Sequence, residues 1–415
     1  MFDLDKWGEI WQTLTRHKLR TALTAFGVFW GIFMLVVLVG SGNGLRNGVM
    51  EGFGGIATNS FFVWGQKTTK PYGGLQPGRF IRFRNSDTEA IRKEVAEVKD
   101  LAPSIQIGPV KTSRGIKNGT FNLDGEYPDR FRIENKPLRK GRFINEVDIT
   151  ESRRVVLIGE RVADMLFGKD ENPIGQYIDI RGGFFQVVGV FGTRNKGENG
   201  ANELNAMYLP FTTAQAVFNI QDRIDFYAVT AQNGVNASVA EAKMKALLMA
   251  RHRVNPEDKV AVGSFNLEMQ YNRLQGLFAG INIFLWIVGI GTLVAGIVGV
   301  SNIMLIVVQE RTKEIGIRKA IGATPWSVIS LILQESVVLT AVSGYTGLVC
   351  GVALTEGISY MLESNGGSDF LLNPTIDFNV AVAATTLLVI CGGLAGVIPA
   401  TRAAAIQPIE ALRAD

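Results

Sequence analysis

The sequence predicts a helical membrane protein with four spans and, between the first and second, a large water-soluble α/β domain. Three observations predict it. Four long runs are almost free of charge, Thr21–Gly40, Ile283–Val308, Val328–Leu354 and Phe378–Ile398, and a bilayer crossing takes roughly 20 apolar residues. Across the whole chain of 415 residues, 47% hydrophobic content coexists with 19% charged residues, so the apolar runs must be joined to a sizeable polar part. Between residues 41 and 280 the strand and helix signals fall in the order βαβ…βαβ.

Taken in order, residues 1–20 place Leu4, Trp7, Trp11 and Leu14 at helical spacing among polar residues, the pattern of an amphipathic helix lying in the membrane interface. The first span, 21–40, is long for a signal peptide and lacks an Ala-x-Ala cleavage site, so it is expected to stay as an anchor. In the domain that follows, 41–280, "FFVW" (Phe61–Trp64) and "RFIRFR" (Arg79–Arg84) have strand composition. Ser86 and Glu89 then form a capping-box pattern opening a helix with Ile91, Val95 and Val98 on one face. "LAPSIQI" (Leu101–Ile107) continues as a strand. The order returns with a strand from Ile224, a helix from Ser238 capped by the pair Ser238 and Glu241, and a strand from Lys259. This is a split ferredoxin-like unit. Residues 108–211 between its halves are expected to form an inserted β-rich subdomain with one short helix at Glu160–Phe167. The chain then runs through span two (283–308), a charged loop (309–324), span three (325–354), an outer loop (355–377), span four (378–398) and a tail (399–415).

Short loops set orientation through their Lys and Arg. Lys6, Arg16, Lys18 and Arg20 precede the first span, Arg311, Lys313, Arg318 and Lys319 lie between spans two and three, and Arg402 and Arg413 lie in the tail. Residues 355–377 hold four acids and neither Lys nor Arg. Both termini and the charged loop are therefore expected in the cytoplasm, and the 41–280 domain outside.

Small residues recur at four-residue spacing in every span, at Gly27/Gly31, Gly291/Ala295/Gly299, Gly347/Gly351 and Gly392/Gly396. Such faces let helices approach closely in lipid, where apolar burial supplies no drive to associate. Glu335 is the single charge inside the third run. An intramembrane acid is costly and functional by default, and a helix-packing hydrogen bond to a Ser or Thr on a neighbour is the expected use.

The stretch "QERTKEIGIRKAIGATPWSVI" (Gln309–Ile329) has its own construction. Glu314 and Arg318 stand at i, i+4 and Glu310 and Lys313 at i, i+3, while Ile317, Ala320 and Ile321 share an apolar face. Gly322 suits the position after a helix end, and Thr324–Pro325 suits an N-cap and first turn. A short amphipathic helix with a hard stop and an immediate restart is predicted.

Other classes lack support. A formal net charge of +4 is too small to argue for nucleic acid, and the two cysteines, Cys350 and Cys391, both lie in apolar runs. His17 and His252 are far apart, the acids show no metal-loop spacing, and no catalytic triad is visible.

The chain resembles the MacB/FtsX-like permeases, the macrolide-exporter type of ABC transporter. The resemblance rests on "KLRTALTAFG" (Lys18–Gly27), "LRKGRFINEVDITESRRVVLIGERVADMLFG", "NPIGQYIDIRGGFFQVVGVF", the Gln309–Ser336 stretch and "PATRAAAIQPIEALR" (Pro399–Arg413). It implies a porter-like external domain with an inserted β-rich part, and a coupling segment of Glu310, Arg311, Glu314, Gly316, Arg318, Lys319, Gly322 and Ala323 that docks on an ABC ATPase. Arg318 and Lys319 are the expected docking charges. The sequence contains no G-x-x-x-x-G-K-[ST] loop, since "FGKD" (Phe167–Asp170) lacks both the preceding glycine and the Ser/Thr. A non-catalytic subunit is therefore expected, with ATP and Mg²⁺ on a separate ATPase and no cofactor on this chain. The resemblance further implies a second permease subunit, a bacterial inner membrane with the large domain periplasmic, and in some relatives a periplasmic adaptor or outer-membrane channel. It leaves two functions: export of a drug, peptide, lipoprotein or lipid, or FtsX-like signalling to cell-wall hydrolases or a sensor.

Overall fold

The computed structural model describes residues 18–51, 55–168, 171–194, 197–364 and 378–407. The expected interfacial helix with Leu4, Trp7, Trp11 and Leu14 lies outside them, as do most of the 355–377 loop and the end of the tail. The chain forms two compact units, residues 50–275 and residues 1–49 with 276–415.

In the first unit, β1 (Ser60–Gly65), α2 (Asn85–Glu94), β2 (Val98–Arg114), β9 (Phe226–Ala231), α8 (Ala237–Arg251) and β10 (Val262–Asn266) form the two βαβ halves; the helix before β1 is α1 (Lys18–Glu51). The strands lie in the order β10-β1-β9-β2, every neighbour antiparallel. That is the ferredoxin-like order, with the last strand beside the first. Strand alternation sends Phe61 and Val63 to the face covered by α2 and α8, where they meet Ile91, Tyr227, Val229, Met244 and Leu248 in one core.

Several local expectations are corrected. Residues 79–84 make only isolated bridges, Lys67 with Phe80 and Phe83 with Ile224, because their partners are loop residues. The α2 cap is not Ser86 and Glu89: the helix starts one residue earlier, and the Asp87 carboxylate accepts from the Arg84 backbone N–H at 2.9 Å. Val98, expected on that helix's apolar face, instead begins β2. Asn236 is the N-cap position of α8, and Glu241 bonds Ser264 and Asn266 on β10 rather than closing a capping box.

Between β2 and β9 come β3 (Lys117–Glu126), α3 (Pro128–Ile133), β4 (Leu138–Gly141), α4 (Glu146–Thr150), β5 (Val155–Gly159), α5 (Glu160–Leu166), β6 (Tyr177–Ile180), β7 (Gly183–Phe191), α6 (Gly197–Glu203), β8 (Ala206–Pro210) and α7 (Phe211–Val217). The single helix expected here is thus one of several. The inserted part is not a separate bead on the chain. Strand β2 is long enough to pair with β9 through its first half and with β3 through its second, across a bulge at Gly108, whose φ of +89° suits glycine. Ten strands consequently share one sheet.

Among the described residues, the second unit holds four helices long and apolar enough to cross a membrane: α1, α9 (Leu267–Glu310), α11 (Pro325–Ser364) and α12 (Phe378–Ala405). The short α10 (Thr312–Ala320) sits between α9 and α11. Every one of the long helices outruns its apolar run in the sequence, because helix geometry continues into flanking polar turns that hydropathy does not count.

Candidate functional site

The charged stretch folds as a stop, a short helix and a restart. Helix α9 ends at Glu310, and Arg311 forms the break, yet backbone bonds continue through it, from the Arg311 N–H to Val307 O at 3.0 Å and from the Ile315 N–H to Arg311 O at 3.0 Å. Helix α10 closes with two reversed bonds, Gly322 N–H to Lys319 O (3.1 Å) and Ala323 N–H to Arg318 O (3.0 Å), the pattern of a Schellman ending. It requires a left-handed residue, which Gly322 supplies at φ +105°. Thr324 then caps α11, its hydroxyl accepting from the Ser327 N–H at 3.3 Å, with Pro325 in the first turn.

Side chains tie this helix inward. Arg311 makes a two-toothed pair with Glu314, both distances 3.0 Å, and reaches Glu335 on α11 at 3.4 Å. Arg318 pairs with the same Glu314 at 2.9 Å. Lys319 donates to the carbonyl oxygens of Ala404 (2.7 Å) and Ile406 (2.8 Å), at the end of α12. Ile315 and Gly316 are buried, Ile315 in one core with Val308, Val328, Ile332 and Ala403. A cavity of about 560 Å³ lies between α10 and α11, walled by Met304, Val308 and Ile332 and by all four charged groups of the cluster.

These contacts revise three expectations. Glu335, only 3% exposed, takes a guanidinium rather than a Ser or Thr hydroxyl. A buried carboxylate needs charge as well as hydrogen bonds, and removing one partner of such a pair costs about 3–5 kcal/mol. Lys319 is engaged by the two carbonyls at the end of α12, whereas Arg318 pairs with Glu314 of its own helix and stays partly exposed. The outward face of α10 is instead apolar: Ile317, Ala320 and Ile321 are exposed, Ile321 at 83%, beside Lys313 and a 70% exposed Trp326. Glu310 is also exposed.

The small residues divide. Gly27 and Gly31 back onto Gly296 and Leu293, an added Cβ lying 3.6 Å and 3.3 Å from their Cα atoms. Gly347 and Gly351 face Phe29 and Val36 of α1, and Gly392 and Gly396 face Thr340 and Ser336 of α11. Gly291 and Gly299 have no described atom within 4 Å of an added Cβ, and Ala295 is exposed. The packing glycines of α9 are Gly289 and Gly296, which are seven residues apart. That spacing was open to inspection; the four-residue rule passed over it.

A second charged cluster, missed entirely in the sequence, is buried in the external unit. Arg130 on α3 pairs with Glu134 (2.5 Å) and lies over the Phe62 and Phe226 rings (5.3 and 5.1 Å), with Glu126 at 3.7 Å. Lys136 joins Glu134 (2.9 Å) to Glu203. Burial pushes the Glu126 carboxyl up to about 8, although Arg130 and the Ser104 hydroxyl pull it down, and pushes Asp124 up to about 6. Burial thus favours the protonated form of Glu126 most strongly. The run "YPDRFRIENK" shows the charges but not that the fold buries them.

Four apolar helices, an α/β domain and a charged turn fastened between two spans fit a membrane protein with a large extracytoplasmic domain. The description "MacB-like periplasmic core domain" matches residues 21–247, and "FtsX-like permease C-terminal" matches residues 286–408. The chain belongs to this family of ABC transporter permeases. It is 28% identical over 412 residues to the pyoverdine export ATP-binding/permease protein PvdT of Pseudomonas entomophila, covering 98% of this chain and 59% of that protein. It is 30% identical over 407 residues to the macrolide export ATP-binding/permease protein MacB of Neisseria meningitidis, covering 97% and 60%. The chain thus spans about 60% of the length of these relatives. Among solved structures, the periplasmic region of MacB from Actinobacillus actinomycetemcomitans aligns with a TM-score of 0.43 at 23% identity, covering 53% of this chain and 94% of that one.

Proposed function

We propose that this chain is the permease subunit of an exporter in a bacterial inner membrane, with its termini and α10 in the cytoplasm and its α/β domain in the periplasm. It works as a dimer with two copies of an ABC ATPase that lies outside these 415 residues. ATP binding and hydrolysis there displace α10, and the membrane helices pass the displacement to the periplasmic domain, which drives a drug, peptide, lipoprotein or lipid outward. A periplasmic adaptor or outer-membrane channel would receive it.

One observation carries this reading. Helix α10 turns Ile317, Ala320 and Ile321 to solvent beside Lys313, while Arg318 is paired with Glu314 and Lys319 is bonded to the end of α12. A loop that served only to set orientation would expose its charges and bury its isoleucines. Exposed isoleucines on a capped helix between two spans suit a protein partner, each buried side chain contributing about 1.5–3 kcal/mol. The test is purification of the tagged chain in mild detergent with its ATPase. Ile317→Asp and Ile321→Asp together are expected to reduce co-purified ATPase by at least about tenfold, with membrane insertion unchanged. Undiminished ATPase in the double variant would remove α10 as the docking surface.

A further inference from the structure

Helix α10 is joined to both of the helices that follow it, not only to its neighbour in sequence. At its start, Arg311 spans from Glu314 to Glu335 on α11. At its end, Lys319 sends its ammonium to Ala404 O and Ile406 O, 85 and 87 residues away along the chain. The last carbonyls of a helix lack partners within it, and a cation at that end also meets the favourable pole of the helix dipole. The two helices so reached are themselves bound together: the Ser336 hydroxyl donates to Gly392 O at 2.9 Å, and Gly392 and Gly396 admit the α11 surface against α12. A short helix held at one point pivots when it is pushed. Held at two points, on two bodies that are already joined, it cannot turn without carrying both.

We propose that Arg311 and Lys319 are positioning residues that clamp α10 to α11 and α12, so that a push on α10 moves these two spans as one body. The proposal rests on the reading of α10 as the ATPase-docking helix. Lys319 explains its end of the clamp without any charged partner on the ATPase.

The experiment uses the full chain with its co-purified ATPase, carrying Cys350→Ser, Cys391→Ser and a reporter Glu356→Cys, which is exposed near the outer end of α11. Maleimide labelling of the reporter is compared with and without vanadate-trapped ATP. Without clamp mutations, trapping changes the labelling rate. In Lys319→Met, and in Arg311→Met combined with Glu335→Gln so that no bare carboxylate stays buried, that change is expected to shrink by roughly ten- to a hundredfold, as for loss of charge-assisted hydrogen bonds, while ATPase co-purification and basal ATP turnover persist. Lys319→Arg, which keeps the donors, restores it. A full response in both Met variants overturns the clamp, as does no response to trapping before any clamp mutation. Loss of folding and co-purification together in Lys319→Met and Lys319→Arg also overturns it, since the residue would then serve only the fold. Failure of any ATPase to accompany the unmutated chain instead removes the docking reading beneath it.

Discussion

Glu126 shows how far a single residue's chemistry depends on its neighbours. It is 1% exposed, hydrogen-bonded by Ser104 at 2.5 Å, and flanked by Arg130 on one side and by Asp124 and Glu134 on the other. Its carboxyl titrates at about 8 instead of 4.5, so the proton it carries contributes stability fully present below pH 4.5 and lost as the pH rises through about 8. Glu126→Gln should therefore match the unmutated chain near about pH 4 and exceed it near about pH 9, by roughly 2–4 °C in Tm for each kcal/mol regained. Thermal scans in detergent at the two pH values check this, and an equal difference at both would refute it. Asp87 has the opposite sign. Burial alone would raise it, yet His252 (2.7 Å) and Arg251 (2.7 Å) hold it at about 2, so its contribution is present above about pH 4 and fails as the pH falls toward 2.

Between elements, the glycines of the spans are of two kinds, and substitution should separate them. A Cβ at Gly347 would meet Phe29 O at 2.5 Å, a backbone atom that cannot step aside, whereas Gly291 faces open space. Gly347→Val is expected to destabilise the helix unit by about 1–3 kcal/mol or more through overpacking. Gly291→Val should leave the stability of a single chain nearly unchanged. Melting curves of the two purified variants decide the matter, and equal losses would show that the α1–α11 approach is looser than the structure has it. The same contrast shows why a four-residue spacing rule is incomplete. It finds which residues permit close approach, but the helix that uses the permission is fixed by which faces meet, and for α9 the face that meets α1 is that of Gly289 and Gly296.

For the whole molecule, the testable property is its sidedness. Ile116 at the tip of the β2–β3 hairpin is 97% exposed and Lys313 on α10 is exposed, so these positions make sharper probes than their half-buried neighbours Ser113 and Thr312. With Cys350 and Cys391 replaced, Ile116→Cys should react with an impermeant maleimide on intact spheroplasts and Lys313→Cys only after permeabilisation. The reverse pattern would invert the topology and remove α10 from the reach of a cytoplasmic ATPase.

The four spans, the βαβ…βαβ order and the stop-and-restart at Gly322, Thr324 and Pro325 are written in the chain's local composition. Apolar run length, strand and helix signals and turn chemistry are local properties, legible wherever they occur. Long-range packing instead sets the sharing of β2 by both parts of the external domain, the joint burial of Arg130 and Glu126, and the inward turn of Lys319 while Ile317 and Ile321 turn out. The physical reason is that a charge takes its role from the partner it meets. For Lys319 that partner is the carbonyl end of a helix 85 residues further along the chain, a proximity that no local pattern encodes.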